Sequence, residues 1–517
     1  MRGMTDEVIV GVGPVGPHDV LTVAREAPRV RLSPEAIDAV AAGRELIEKL
    51  AGDPDPHYGI STGFGALATR HIPDQSRAQL QRSLIRSHAA GTGAEVEAEV
   101  VRAMMLLRLS TLASGRTGVA VTTARTYAGL LDAGLTPVVY EYGSLGCSGD
   151  LAPLAHCALA LMGEGEVRDR AGVRRPAAEA MAEHGLAPVT LAEKEGLALI
   201  NGTDGMLGML VMAIADLTAL ACAADCAAAM SVEALLGTDA VFAADLQELR
   251  PHPGQAASAA NLRNLLSGSS IMASHRDPHV CTRVQDAYSL RCSPQVHGAV
   301  RDTLAHAATV AGRELAATID NPVLTPDGRV ESNGNFHGAP VAYVCDFLAI
   351  AAADLASISE RRIDRHLDAN RSHGLPPFGA HDAGVDSGLM IAQYTAAGIV
   401  TELKRLAAPA SVDSIPSSAM QEDHVSMGWT AARKLRRAVD GLARVIAIEI
   451  LTAARSLDLR APLEPAAATG AVLRSLRAGV PGPGPDRYLA PDIDVAVELV
   501  RSGAAVRAAE SITGPLA

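Results

Sequence analysis

The stretch Glu141–His156, EYGSLGCSGDLAPLAH, places Cys147, Ser148 and Gly149 in a row, with Gly143 and Gly146 just ahead and an apolar, Pro-bearing segment just after. Two chemistries suit such a loop. Ser148 could be an ordinary nucleophile with His156 as its base, but the Gly-x-Ser-x-Gly pattern of a strand-to-helix elbow is absent. The other chemistry uses the backbone. Glycine permits strained or closely approached backbone at a cost in entropy. In a strained loop the amide nitrogen of Gly149, unobstructed by a Cβ, can attack the carbonyl carbon of Cys147. Loss of water and dehydration of Ser148 would then leave a methylidene-imidazolone, an exposed electrophilic alkene that needs no external cofactor.

Other segments carry candidate polar groups. YGISTGFG sets Tyr58 in a Gly-rich loop, SHAAG contains His88, and LALINGTDG contains Asn201. RVQDAYSLRCSPQ brings Gln285, Tyr288 and Arg291 together, SNGNFHGAPVA contains Phe336, and SSAMQEDHVSM contains Glu422. A guanidinium such as that of Arg291 is a planar fork that binds a carboxylate bidentately. A carboxylate such as that of Glu422 suits an imidazole, which offers an N–H and becomes cationic near neutral pH. Facing a phenyl ring, the same carboxylate would be left unpaired at a cost of ~1–3 kcal/mol. Taken singly, each of these residues could equally be a core hydrogen-bonder, a turn residue or a surface ion pair.

Together they carry a resemblance. Glu141–His156 resembles the signature Gly-Ser-x-Gly-Ala-Ser-Gly-Asp-Leu-x-Pro-Leu of the histidine and aromatic amino-acid ammonia-lyase family, with Cys147 where alanine is commoner. Only the backbone of that position enters the ring, so the cysteine is compatible. The resemblance runs from about Tyr58 to Ser426. It implies a 4-methylidene-imidazole-5-one (MIO) group made from Cys147, Ser148 and Gly149. It also implies Tyr58 as the base for the Cβ proton, and Asn201 as a hydrogen-bonder near the electrophile and the amino-acid carboxylate. Tyr288 would lie beside the ring, Arg291 would clamp the carboxylate, and Gln285 would orient it. His88, Phe336 and Glu422 would contact the substrate side chain. Glu422 stands where histidine-specific members have Glu, which implies conversion of L-histidine to trans-urocanate and ammonia. Met420 stands where other members often have Asn. The competing readings are a tyrosine or phenylalanine ammonia-lyase, an aminomutase, and a non-catalytic helical scaffold.

The elements that must hold these groups are mostly helical. The chain has 517 residues, 48% apolar but only 3% aromatic, and its Ala/Leu bias favours close-packed helices over sheets. Helical spacing recurs in residues 95–113, in 340–362 through Val341, Val344, Leu348, Leu355 and Ile358, and in 435–459 through Leu435, Val439, Leu442 and Ile446. The expectation is a mainly α protein, a long-helix bundle resembling the histidase and phenylalanine ammonia-lyase fold. A loop-rich mixed region would occupy residues 1–195, the central bundle 196–465 and a C-terminal helical segment 466–517. Gly479–Asp492 reads as a loop. The family implies a homotetramer with active sites shared between chains.

Several classes are disfavoured. A net charge of −13 argues against nucleic acid and anionic membranes. No Lys or Arg lies between Lys194 and Arg250, but Asp216 and Asp225 interrupt that apolar run, so a buried helix rather than a membrane span is expected. Seven scattered cysteines without a CxxC pair, and an N-terminus lacking a signal-like apolar core, suit the cytoplasm. The histidines form no HExxH or zinc spacing, so no metal is expected. GVGPVG near the start matches GxGxxG, but the motif is weak alone and no strand–helix unit is expected around it.

Overall fold

The computed structural model describes residues 7–53, 55, 57–63, 70–277, 279, 281 and 283–517. Among the described residues, helix makes up 59% and the sheets have only two or three short strands. The mainly α expectation holds. The three periodic segments become the helices Ala98–Ala113, Ala339–Leu367 and Gly428–Asp458. Ala98–Ala113 is buried nearly all round, from Val100 to Ala113. Without a polar face it must be enclosed by other elements.

The chain divides into two compact units assembled from interleaved segments. The first comprises residues 1–212, 308–345 and 409–433. It opens with an arrangement not expected from the sequence. The strand Glu7–Val10, the helix Pro17–Glu26 and the strand Arg29–Leu32 form a parallel strand–helix–strand unit around GVGPVG. Four-residue strands are too short to show a pattern. The unit is nevertheless poorly suited to phosphate. The Asp19 carboxylate accepts from the Gly16 N–H at 3.0 Å, placing a negative charge at the helix N-terminus, and Pro14 and Pro17 offer no N–H.

Deeper in this unit, the helices Asp74–His88, Leu151–Leu161 and Glu195–Ile200 pack on one another. Buried ionic groups join them to the rest of the unit. Arg108 is fully buried and donates to the carbonyls of Ala198 at 2.9 Å, Asn201 at 3.1 Å and Ile319 at 3.1 Å, while pairing with Asp204 at 2.9 Å. Lys194 pairs with Asp320, both fully buried. Glu195 accepts from the Ala120 N–H at 2.8 Å and the Thr123 hydroxyl at 2.6 Å, capping the helix Val121–Ala133.

The second unit comprises residues 213–307, 346–408 and 434–517. Within it, Glu449 accepts from the hydroxyls of Ser231 and Ser359 at 2.7 and 2.5 Å and from Arg362 at 2.5 and 2.9 Å. Asp225 is likewise saturated, by Ser258, Asn261, His297 and Arg301 at 2.7–2.8 Å. Buried ion pairs of this kind fix which helix faces meet more than they add net stability. The stretches Glu195–Ala234 and Ala339–Leu367 are long and apolar enough to cross a membrane by length and composition. Asp225, in the first of these, is fully buried among its four polar partners. The loop expected over 479–492 ends at residue 489, because Pro491 opens the helix Ala490–Arg501, where its missing N–H costs nothing.

Candidate active site

The strand Tyr140–Tyr142 pairs antiparallel with Thr92–Glu95 and delivers the chain into the glycine-rich loop. Gly143, Gly146 and Gly149 all have positive φ, +144°, +66° and +79°. At Gly149 a Cβ would lie 2.2 Å from the Gly202 carbonyl oxygen, so no other residue fits without moving the backbone. The loop is held at both ends. The Ser144 hydroxyl donates to Asp150 at 2.9 Å and accepts from the Gly146 N–H at 3.2 Å. The Gly146 carbonyl accepts from the Ser426 hydroxyl at 2.7 Å, and the Asp150 N–H donates to Gly202 O at 2.7 Å.

Asp150 is the hinge of this arrangement. It is fully buried, and its other carboxylate oxygen accepts from the N–H groups of Gly205 and Met206, each at 2.9 Å. Those groups open the helix Asp204–Ala234, whose N-terminus favours a negative charge. Burial pushes this carboxyl up to about 7, against the opposing pull of the three donors. All three neighbours point hydrogens at the carboxylate, which is the form they stabilise.

The segment Ser417–Glu422 covers the loop. Ser417 and Glu422 form an antiparallel bridge, and between them Ser418, Ala419 and Met420 have φ of +50°, +52° and +70°. Consecutive left-handed non-glycine residues cost ~1–2 kcal/mol each and persist where surrounding contacts impose them. The strained turn aims Glu422 at the tripeptide. Its Oε1 accepts from the Ser148 hydroxyl at 3.0 Å, and its Oε2 accepts from the Cys147 thiol at 3.2 Å and the Ser417 hydroxyl at 3.0 Å.

A cavity of about 600 Å³ opens here, lined by Tyr58, His88, Ser148, Asn201 and Glu422 with Leu80, Leu84, Leu151, Leu197 and Ile200. Five of the sequence-predicted residues thus share one wall space, although they lie on separate elements. Asn201 ends the helix Glu195–Ile200. Its backbone carbonyl is taken by Arg108, its side-chain amide N–H reaches Asn321 O at 3.4 Å, and its buried Oδ1 has no hydrogen-bond partner among the described residues. A ligand N–H would satisfy that oxygen. Arg70 and Asn321 also line the cavity, and sequence reasoning missed both. Arg70 closes the Gly-rich run YGISTGFGALATR and Asn321 precedes Pro322, signals too common to single out.

His88 sits in the last turn of Asp74–His88. Its Nδ1 lies 2.9 Å from the Leu84 carbonyl. A carbonyl only accepts, so Nδ1 carries the proton and Nε2 is the acceptor. Burial holds the imidazole below its ordinary value of 6.5, partly offset by the Leu84 carbonyl and Glu422. Its folded-state pKa being depressed, the neutral acceptor form is fully present above 6.5 and is lost as pH falls through the lower folded value. We therefore expect ligand affinity that depends on Nε2 to persist to pH below 6.5 and then fall. In His88→Gln that fall should vanish from a calorimetric titration of affinity against pH.

The remaining predicted residues do not line this cavity. Phe336 lies half-buried elsewhere in the first unit. Gln285, Tyr288 and Arg291 belong to the second unit. There Tyr288 is 71% exposed, the Arg291 guanidinium stacks 4.7 Å over its ring, and Gln285 borders a separate cavity with Arg276 and Arg283. Among the described residues, no group of three or more His, Cys, Asp or Glu side chains could hold a metal ion.

The family model of the aromatic amino acid lyases matches residues 15–478. The chain belongs to the aromatic amino acid lyase family. Among members of this family, the histidine ammonia-lyase of Streptomyces avermitilis is 66% identical over 511 residues, covering 99% of both chains. The crystal structure of the histidine ammonia-lyase from Trypanosoma cruzi superposes with a TM-score of 0.89 at 38% identity, covering 98% of this chain and 95% of that one. The tyrosine aminomutase from Streptomyces globisporus superposes at 0.92 with 37% identity, covering 99% and 100%. The fold is therefore shared by proteins with different names.

Proposed function

We propose that this aromatic amino acid lyase is a histidine ammonia-lyase, which eliminates ammonia from L-histidine to give trans-urocanate. The carrying observation is Glu422, which shares the cavity with His88 and is hydrogen-bonded to Ser148. The high identity to a histidine ammonia-lyase over the full chain supports the same reading.

Ammonium is a poor leaving group and a Cβ proton is weakly acidic, and no ordinary side chain is electrophilic enough to help. The residues at 147–149 fit the self-made MIO group. Gly149 has the positive φ and the missing Cβ, and both flanks are tied down. Formation would release two waters, one from the Cys147 carbonyl oxygen as Gly149 N bonds to its carbon, the other from Ser148. The finished group supplies the electrophile that activates the substrate for loss of ammonia. Around it, Tyr58 takes the Cβ proton, Glu422 accepts an imidazole N–H, and His88 Nε2 contacts the ring. Asn201 Oδ1 receives a substrate N–H. The family resemblance implies active sites shared between chains, so we assign Arg291, Tyr288 and Gln285, which belong to the second unit, to the site of a second copy in a homotetramer, where Arg291 clamps the α-carboxylate. Phe336 is assigned to the same shared wall. The enzyme needs no external cofactor or metal, works in the cytoplasm, and has neither nucleic acid nor a membrane as a partner.

Incubation with L-histidine, L-phenylalanine and L-tyrosine, followed by product identification, tests the reading. Urocanate is expected; cinnamate, coumarate or a β-amino acid would replace it with an aromatic lyase or aminomutase. Glu422→Ala should lower kcat/KM for histidine by about 10²-fold, the worth of a charge-assisted hydrogen bond. An unchanged kcat/KM in that variant would remove Glu422 from substrate recognition.

A further inference from the structure

Cys147 is the residue at which the loop departs from the signature it resembles, and its side chain is not idle. The thiol is 7% exposed and donates to Glu422 Oε2 at 3.2 Å. We infer that the Cys147 thiol is a positioning residue for substrate specificity, holding the Glu422 carboxylate in the orientation that takes an imidazole N–H. This rests on the reading of Glu422 given above.

The division of donors between the two carboxylate oxygens carries the inference. Among the described residues, Oε2 is bound by Cys147 and Ser417, and Oε1 only by the Ser148 hydroxyl. Ring formation removes that hydroxyl as water, so Oε1 loses its donor and is left for a ligand. Oε2 keeps both of its own. The carboxylate is then gripped by one oxygen and presented by the other. An alanine at position 147 offers no donor, so Ser417 alone would hold Oε2.

The thiol is suited to the task. Burial and the neighbouring Glu422 charge push it up to about 12, so it stays protonated and can donate at neutral pH. A thiol is a weak donor, but a charged acceptor strengthens the bond.

The test uses the full-length protein and two analogues that lack an amino group and so cannot be deaminated, imidazolepropionate and phenylpropionate. Binding is measured by calorimetry. Cys147→Ala should weaken imidazolepropionate about five-fold and leave phenylpropionate unchanged, whereas Cys147→Ser, which restores a donor, should stay close to the parent protein. A merely structural role would weaken both analogues alike, and that result, like no change in either, overturns the inference. Intact mass should show the same two-water deficit in both variants; loss of the deficit in Cys147→Ala would move the thiol's role to ring formation and equally overturn it. Glu422→Ala separates the two levels. If it keeps the parent's preference for the imidazole analogue, the reading of Glu422 fails. If it loses that preference while Cys147→Ala does not weaken imidazolepropionate, only the thiol's role fails.

Discussion

Ser148→Ala is expected to yield a folded protein whose activity has fallen on the order of 10³-fold or more, the scale seen when a covalent catalyst is removed. The argument is chemical. Alanine has no hydroxyl to lose, so the alkene cannot form and the substrate meets no electrophile. In the proposed mechanism the remaining cavity groups, Tyr58, His88, Asn201 and Glu422, would still bind and orient, but binding alone does not activate ammonium as a leaving group. Structurally the change is small. Ser148 contributes one hydrogen bond, to Glu422, and its loss should leave circular dichroism and thermal unfolding nearly unchanged. Intact mass should lack the two-water deficit expected of the parent. A variant that retains even a tenth of the parent's activity would end the electrophile mechanism and return Ser148 to an ordinary loop residue.

The largest stability effect is expected far from any reacting atom. Replacing Arg108 with leucine should destabilise the first unit by about 3–5 kcal/mol, because it leaves a buried charge without its partner. Arg108 is fully buried, spans the carbonyls of Ala198, Asn201 and Ile319, and neutralises Asp204 at 2.9 Å. Burial raises the Asp204 carboxyl, and Arg108 is the group that pulls it down. Without Arg108 the folded-state pKa rises further above the unfolded value. The folded variant then binds a proton that the unfolded chain does not, so its stability is best at low pH and falls as pH rises through the folded value. Urea unfolding at pH 5 and pH 8 checks this. The deficit relative to the parent should be smaller at pH 5. A deficit below ~1 kcal/mol at pH 8 would mean that water or relaxation replaces the guanidinium. Activity should fall with stability, since the Asn201 carbonyl is one of the groups that Arg108 holds.

The contrast between these two variants shows what each level of information carries. The tripeptide 147–149 is legible in the amino-acid sequence because its local chemistry is unusual, whereas Tyr58, His88, Asn201 and Glu422 stand out only through the motifs that carry the family resemblance. The long helices are legible for a local reason too. Burial repeats at every turn, so Val341, Val344, Leu348 and Leu355 write their own periodicity. Short elements leave no such trace, which is why the strand–helix–strand unit around GVGPVG could not be read.

Arg108 had no signal at all. It lies in the run MMLLRLSTLA and reads as an interruption, yet the fold makes it the junction of three separate segments. Asp150 shows the same limit from the other side. Its place after the tripeptide was visible, but its partners Gly205 and Met206 are 55 and 56 residues away. Glu422 reaches Ser148 across 274 positions. The chain alone determined which groups exist and which stretches would be helical, because both depend on neighbours within a few residues. Only the packing of distant segments decided that Arg70 and Asn321 would join the cavity with Tyr58 and Glu422. Contacts between remote segments depend on which buried faces and buried charges satisfy one another, and no local pattern records that choice.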